Sequence, residues 1–117
     1  MRSAMHETIP DQRPLVLELL QLLASEEKQL ACKFRSDADV TVELFCRWCD
    51  AYGFGDRLFE ACFTQNELVA LAQFTAFYQA RRRLLPRSQG TVGTLLASSG
   101  WREIMQEAST ALEKIAA

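Results

Sequence analysis

The feature that most constrains the fold is a helix-start signal followed by a long segment of helix-forming residues. Thr64-Gln65-Asn66-Glu67 has the T-x-x-E spacing of a capping box, in which the two side chains satisfy free backbone N–H groups. From residue 68 to 80 the segment is apolar except for three polar side chains and a tyrosine hydroxyl. The sequence therefore predicts a long helix over 67–84, apolar nearly all round, on which the other helices pack.

Capping and breaking signals divide the rest of the chain into further helices. Pro14 stands in a first turn, Ser36 and Asp39 have capping-box spacing, Gly53 is placed for a left-handed helix stop, and Pro86 ends the long helix. The predicted helices cover 12–35, 37–52, a short piece at 58–63, the long helix, a short stretch at 91–97 and a final amphipathic segment from 101. This pattern predicts an all-α fold, a compact helical bundle of four main helices plus one or two short helices.

Length and composition fit one domain. With 117 residues the chain is long enough for a single core, so we expect a flexible segment over 1–11 and one helical domain over 12–117. A net charge of −2 gives no overall attraction to nucleic acid or to an anionic membrane. No apolar run reaches the length that spans a bilayer, and no secretory signal is visible, so a cytoplasmic location is expected.

Two of the predicted helices carry more apolar surface than one core requires. The first has leucines spread widely around its axis, and the long helix is apolar on nearly every side. Because large uncovered apolar surface marks an association site, the sequence predicts a homodimer.

Four cysteines raise the question of redox or metal chemistry. Cys46-Arg47-Trp48-Cys49 is a C-x-x-C motif, but it lies within a predicted helix rather than at a helix start after a strand. Cys32 and Cys62 are isolated, whereas structural zinc sites draw ligands in closely spaced pairs. We therefore interpret the four thiols as buried packing groups in a reducing compartment, and Cys49 with Phe45 as part of a core-facing helix side.

Residues for enzymatic chemistry are few. The only histidine, His6, lies in the predicted N-terminal segment, so no Cys-His or Ser-His pair can be proposed on a rigid element. The carboxylates form no metal-binding signature, and Gly53-Phe54-Gly55 lacks the lysine and further glycine of a phosphate loop. The sequence therefore predicts a protein that is not an enzyme, with no catalytic, cofactor-binding or metal-ligating residue.

Arginines near the end of the long helix are the strongest charge feature. Arg81, Arg82 and Arg83 are consecutive, and Arg87 follows soon after. Cations complement the dipole at a helix C-terminus, which is sufficient as a structural explanation of the cluster. Arginines and aromatic side chains also dominate protein interfaces, so these four arginines and Phe54 are the predicted partner-binding residues.

Charge is unevenly distributed along the chain. Residues 36–67 hold seven acids and two arginines, a net of −5, whereas 68–102 hold five arginines and no acid. Opposite blocks of this kind favour pairing within the fold, a self-complementary dimer, or attraction of an acidic partner to the arginines.

Together these features predict a non-catalytic regulatory protein that binds and masks another protein, such as an antiactivator of a transcription factor or an immunity or antitoxin-type inhibitor. The alternative is a nucleic-acid-binding transcriptional regulator that uses Arg81 to Arg83. A helix-turn-helix arrangement over 58–84 is disfavoured, because a recognition helix presents polar residues at its N-terminal end and this helix begins with apolar ones. Nucleic acid is therefore the less favoured partner, and no membrane partner is predicted.

Overall fold

A computed structural model describes residues 12–32, 40–53, 55–85 and 92–116, and within these ranges the chain is helical with no strand. Four long helices confirm the predicted all-α bundle, and shorter helices connect them. The helices are α1 (Arg13–Ala24), α2 (Glu26–Ala31), α3 (Val40–Ala51), α4 (Arg57–Glu60), α5 (Gln65–Arg82), α6 (Val92–Leu96) and α7 (Ser99–Ala116). The predicted N-terminal segment, 1–11, and the predicted cap at Ser36 lie outside the described residues.

The single helix predicted over 12–35 is wrong, because the chain breaks at Ser25. This residue has an extended backbone, with φ −119° and ψ 118°, and ends α1. Its hydroxyl accepts a hydrogen bond from the backbone N–H of Lys28 at 3.1 Å, which caps the start of α2. The predicted long helix is therefore divided at Ser25 into α1 and the short helix α2.

A buried amide holds this break in place. Gln29 is fully buried, and its Nε2 donates to the carbonyl oxygens of Leu22 and Leu23 at 3.0 and 3.1 Å. Its Oε1 accepts a hydrogen bond from Trp101 Nε1 at 2.9 Å. The two carbonyls belong to the end of α1, where regular helical partners run out, and that of Leu22 also accepts the N–H of Ser25 at 3.3 Å. Gln29 bonds both carbonyls and joins the corner to α7.

The capping box predicted before α5 is confirmed. Thr64 Oγ1 accepts from the N–H of Glu67 at 3.2 Å, and the Glu67 carboxylate accepts from the N–H of Thr64 at 2.8 Å. The same carboxylate accepts hydrogen bonds from both terminal nitrogens of Arg13, at 2.6 and 2.7 Å, so the start of α5 is joined to α1. Asp56 caps α4, where its side chain accepts from the N–H groups of Leu58 and Phe59.

The centre of the bundle differs from the prediction. The last helix, α7, packs against both α1 and α5, and its inner side is buried along its length. The expectation that α5 is the helix on which the others pack is therefore wrong in part. Only one side of α5 is covered by α7, since Ala70, Leu71 and Phe74 are buried while Val69 is 46% exposed.

The turn after α3 uses its two glycines differently from the prediction. Gly55, not Gly53, has the left-handed backbone conformation, with φ 83°. Gly53 is required for another reason: a Cβ placed there would lie 2.9 Å from the Cβ of Phe59. The absence of a side chain at Gly53 thus lets α4 fold back closely against the end of α3.

Aromatic rings join α3 to α5. The rings of Trp48 and Phe74 meet edge to face at 5.1 Å, and those of Phe45 and Tyr78 do so at 4.9 Å. Trp48 Nε1 donates to Thr75 Oγ1 at 2.9 Å. Edge-to-face pairs add to the burial of apolar area, so this cluster fixes the position of α3 beside α5.

Candidate functional site

The three consecutive arginines of the predicted site point in different directions. Arg81 pairs with Glu103 of α7 at 2.6 Å and its guanidinium lies 4.7 Å from the centre of the Phe77 ring. Arg82 stacks over the ring of Phe45, on α3, at 4.3 Å. Arg83 is exposed at the C-cap of α5, and no ion pair or ring contact of it is found within the described ranges. The predicted cluster is therefore not one charged patch.

Two other predicted site residues, Phe54 and Arg87, lie outside the described residues. Of the five predicted partner-binding residues, the structure thus places Arg81, Arg82 and Arg83, and it sets them around the last turn of α5. Their partner-binding role stays a prediction.

An open groove runs along α5, with α3 on one side and α4 at one end. It consists of two adjoining hollows with volumes of about 210 and 360 Å³, which share Tyr52 and Ala72. Its floor is formed by the small apolar side chains of Ala72 and Ala76. Val69 also lines the groove and is 46% exposed. The lining residues, called the groove below, are Cys49, Tyr52, Phe59, Glu60, Gln65, Leu68, Val69, Ala72, Thr75, Ala76 and Gln79.

The groove and Arg83 share one side of α5. Ala72, Ala76, Gln79 and Arg83 follow the i, i+4, i+7, i+11 spacing that places residues in one row along a helix. Arg83 has helical backbone angles, φ −67° and ψ −21°, so the row continues to it without a break. The apolar floor of the groove therefore ends at an exposed cation.

The wall of the groove just after α3 is packed between two other aromatic rings. Tyr52 stacks parallel to Trp48 with ring centres 5.8 Å apart and meets Phe59 edge to face at 5.6 Å. Burial, the largest cause, raises the pKa of the Tyr52 hydroxyl, and a hydrogen bond with Thr75 opposes that rise. Fixed aromatic walls lose little entropy on binding, which suits a preformed docking surface.

The cysteines do not behave as the predicted buried packing groups. Cys46 and Cys49 are exposed, and Cys32 and Cys62 are half-buried. The prediction failed for Cys49 because the inward side of α3 is set by Phe45 and Trp48, which turns Cys49 to the rim of the groove. Desolvation, followed by the neighbouring Cys46, raises the pKa of the Cys49 thiol.

No metal centre is found in the described parts of the chain, where no three His, Cys, Asp or Glu side chains stand close enough to share an ion. The C-x-x-C motif lies within α3, as predicted, and the sulfur of Cys32 accepts a hydrogen bond from Arg47 at 3.3 Å. Cys62 lies elsewhere, where its thiol donates to the carbonyl of Leu58 at 3.4 Å.

The two ends of the groove differ in charge. Glu60 lines the end beside α4, where its carboxylate also accepts the N–H of Gly55 at 3.1 Å. Arg82 and Arg83 stand at the other end. The ion pairs that cross the fold are Arg81 with Glu103, Arg102 with Glu26 and Arg13 with Glu67. None of these joins the acidic block, 36–67, to the arginines of 68–102, so pairing between the blocks is not found in the described ranges.

Sequence reasoning missed the groove. Its apolar residues on α5 have the same composition as the buried ones, and only the packing of α7 on the opposite side distinguishes them. The signal available was the spacing of Ala72 and Ala76, two small residues four apart on a helix side that also carries two glutamines and Arg83.

Comparison with known proteins gives no relative: no protein-family model, curated protein or solved structure matches this chain. Among the described helices, none combines the length and the apolar character needed to cross a bilayer.

Proposed function

We propose that this chain is a non-catalytic regulatory protein of the cytoplasm that forms a homodimer and acts by binding and masking another protein, as an antiactivator of a transcription factor or an antitoxin-type inhibitor does. The observation that supports this function is the open groove along α5, which has a small apolar floor and leads to Arg83. Preformed apolar grooves with a few polar groups at their edges are typical of surfaces that dock a partner helix.

The occupant that fits is an amphipathic helix of the partner. Its apolar side chains would lie over Ala72 and Ala76, where the small floor allows two helices to approach closely. An acidic side chain at one end would meet Arg83, whose exposed guanidinium can bind a carboxylate through two parallel hydrogen bonds. Charge at this end would set the direction in which the partner helix lies.

An affinity pull-down from the source cell tests this function, using the full chain and two groove variants. Ala76→Arg fills the floor and Arg83→Glu reverses the charge, while Lys28→Glu on α2 reverses one exposed charge away from the groove. We expect one protein to be retained by the parent and by Lys28→Glu and to be lost with both groove variants.

Purified partner, titrated against the same four proteins, gives the quantitative result. A loss of affinity of tenfold or more, confined to the two groove variants, supports the proposal, since well-placed interface charges and central contacts dominate affinity. Equal retention by all four chains would refute it.

The nucleic-acid alternative uses the same arginines, and the geometry supports it less. Arg81 is paired with Glu103 and Arg82 lies over Phe45, so the triplet offers Arg83 rather than a row of three cations to a phosphate backbone. A gel-shift series against salt tests it: binding at low ionic strength that weakens steeply with added salt would favour this alternative, and the absence of binding there would end it.

A further inference from the structure

We infer that a second copy of this chain covers the groove when the partner is absent, with the two α5 helices antiparallel across a two-fold axis. The inference rests on the proposed function, since it takes the groove to be a docking surface, and it adds how that surface is regulated. It follows from the spacing of the groove residues and from the charges at the two ends.

The spacing is symmetric about the middle of α5. Gln65 and Arg83 stand nine residues on either side of Phe74, about 14 Å along the axis at about 1.5 Å per residue. Ala72 and Ala76 lie equally far on either side of the same point, so a two-fold axis there brings Ala72 of one copy to Ala76 of the other. Two alanines at the crossing point let the helices approach closely, and an isologous contact of this kind closes after two copies.

The charges select the antiparallel direction. Glu60 lines one end of the groove and Arg83 stands at the other, so an antiparallel pair sets Arg83 of each copy beside Glu60 of the other. A parallel pair would bring like charges together at both ends, which is unfavourable.

The size of this contact fits a reversible dimer. An 18-residue helix with its bordering residues buries on the order of 1,000 Å² in total, near the lower limit of specific interfaces. Such a dimer forms and dissociates with concentration, so a partner helix competes with the second copy for the same groove. Self-association is then the state that keeps the docking surface closed.

A charge-swap experiment on the full chain tests the arrangement by sedimentation velocity over a range of concentrations. In its homodimer Arg83→Glu sets two carboxylates side by side at both ends of the contact, and Glu60→Arg sets two guanidinium groups there. Each variant alone should therefore dimerise at least tenfold more weakly than the parent. Mixing the two variants gives opposite charges at both ends of the contact: one end holds the parent pair of Glu60 and Arg83, and at the other end the acid and the base have exchanged places. We expect a heterodimer to form at concentrations where neither variant self-associates. Its formation also shows that both variants are folded.

Ala76→Arg should abolish the dimer, and Lys28→Glu should leave its dissociation constant unchanged. The inference is overturned if the parent is monomeric at all concentrations, if the mixture forms no heterodimer, or if Ala76→Arg dimerises like the parent. A charge-swap dimer without any groove-dependent partner would refute the proposed function alone. A groove-dependent partner with a monomeric parent would refute this inference and the homodimer of the proposed function, and it would support the masking role.

Discussion

At the scale of single residues, Glu67 shows how one carboxylate can join distant parts of a chain. It completes the capping box of α5 and binds Arg13 of α1 through both oxygens. The hydrogen bonds from Arg13, the largest cause, lower the pKa of Glu67 from 4.5 to about 2. The ionised form therefore stabilises the fold, because the folded protein binds this proton less readily than the unfolded chain.

The variant Glu67→Gln should isolate the contribution of that charge, since glutamine also completes a capping box. We expect the free energy of unfolding near pH 7 to fall by about 1–2 kcal/mol, reduced by solvent at the partly exposed Arg13. The folded pKa lies below the unfolded one, so this stabilisation is present above about pH 4.5 and is lost as the pH falls toward 2.

Urea unfolding of the parent and of Glu67→Gln at about pH 6 and about pH 3 provides the measurement, with the exposed Glu113→Gln as control. The difference between parent and variant should shrink at the lower pH. A difference that stays constant between the two pH values would contradict the assignment.

At the scale of elements, helix ends with local chemistry were predictable and the break at Ser25 was not. Thr64 and Asp56 act on backbone groups within a few residues, so their caps can be read from the sequence. The corner after α1 depends on Gln29 and its bond with Trp101, which is 72 residues away. Neither glycine nor proline marks the corner, and a contact at that separation leaves no trace in local periodicity.

Replacing Gln29 with leucine should loosen this corner. The indole N–H of Trp101 and the carbonyl of Leu23 would lose this partner, and the carbonyl of Leu22 would keep its bond from the N–H of Ser25. We expect a loss of about 2–4 kcal/mol in the free energy of unfolding. Chemical denaturation followed by circular dichroism measures it, with Gln106→Leu on the exposed side of α7 as control. Equal stability of the two variants would show that the buried amide is not what holds the corner.

A matched pair of glycine substitutions tests the turn between α3 and α4. Gly53→Ala forces a Cβ to within 2.9 Å of Phe59 and should cost about 1–3 kcal/mol. Gly93→Ala, within α6, meets nothing within 4 Å and should stabilise by about 0.5–1 kcal/mol through a less flexible unfolded chain. Thermal unfolding of both variants should move the midpoint in opposite directions; a shift of the same sign would contradict this account.

At the scale of the whole molecule, the all-α architecture was predictable but the position of the groove was not. Fold class follows from apolar spacing and caps, which are properties of each segment. Which side of α5 is left open depends on where α7 packs, and Val69 and Ala76 are apolar like the buried residues beside them. The exposure of Cys49 likewise depends on tertiary packing, because the burial of Trp48 decides which side of α3 faces the core.

The prediction of a single domain over 12–117 can be tested through the two tryptophans, which report on different helices. Trp48 on α3 and Trp101 on α7 are both fully buried. Trp101→Phe leaves Trp48 as the fluorescent probe, and Trp48→Phe leaves Trp101. We expect one cooperative transition, so that in each variant the midpoint from fluorescence equals the midpoint from helical circular dichroism. Fluorescence and circular dichroism that separate in either variant would indicate that the region around α3 unfolds independently.

The exposed thiol of Cys49 is a native site for attaching a fluorescent label. Because it stands on the rim of the groove, an environment-sensitive dye attached there would change its emission whenever the groove is filled. With Cys32, Cys46 and Cys62 replaced by serine, Cys49 is the one native thiol left for the label. The emission of a dye on Cys49 would therefore report directly whether the groove is open or covered.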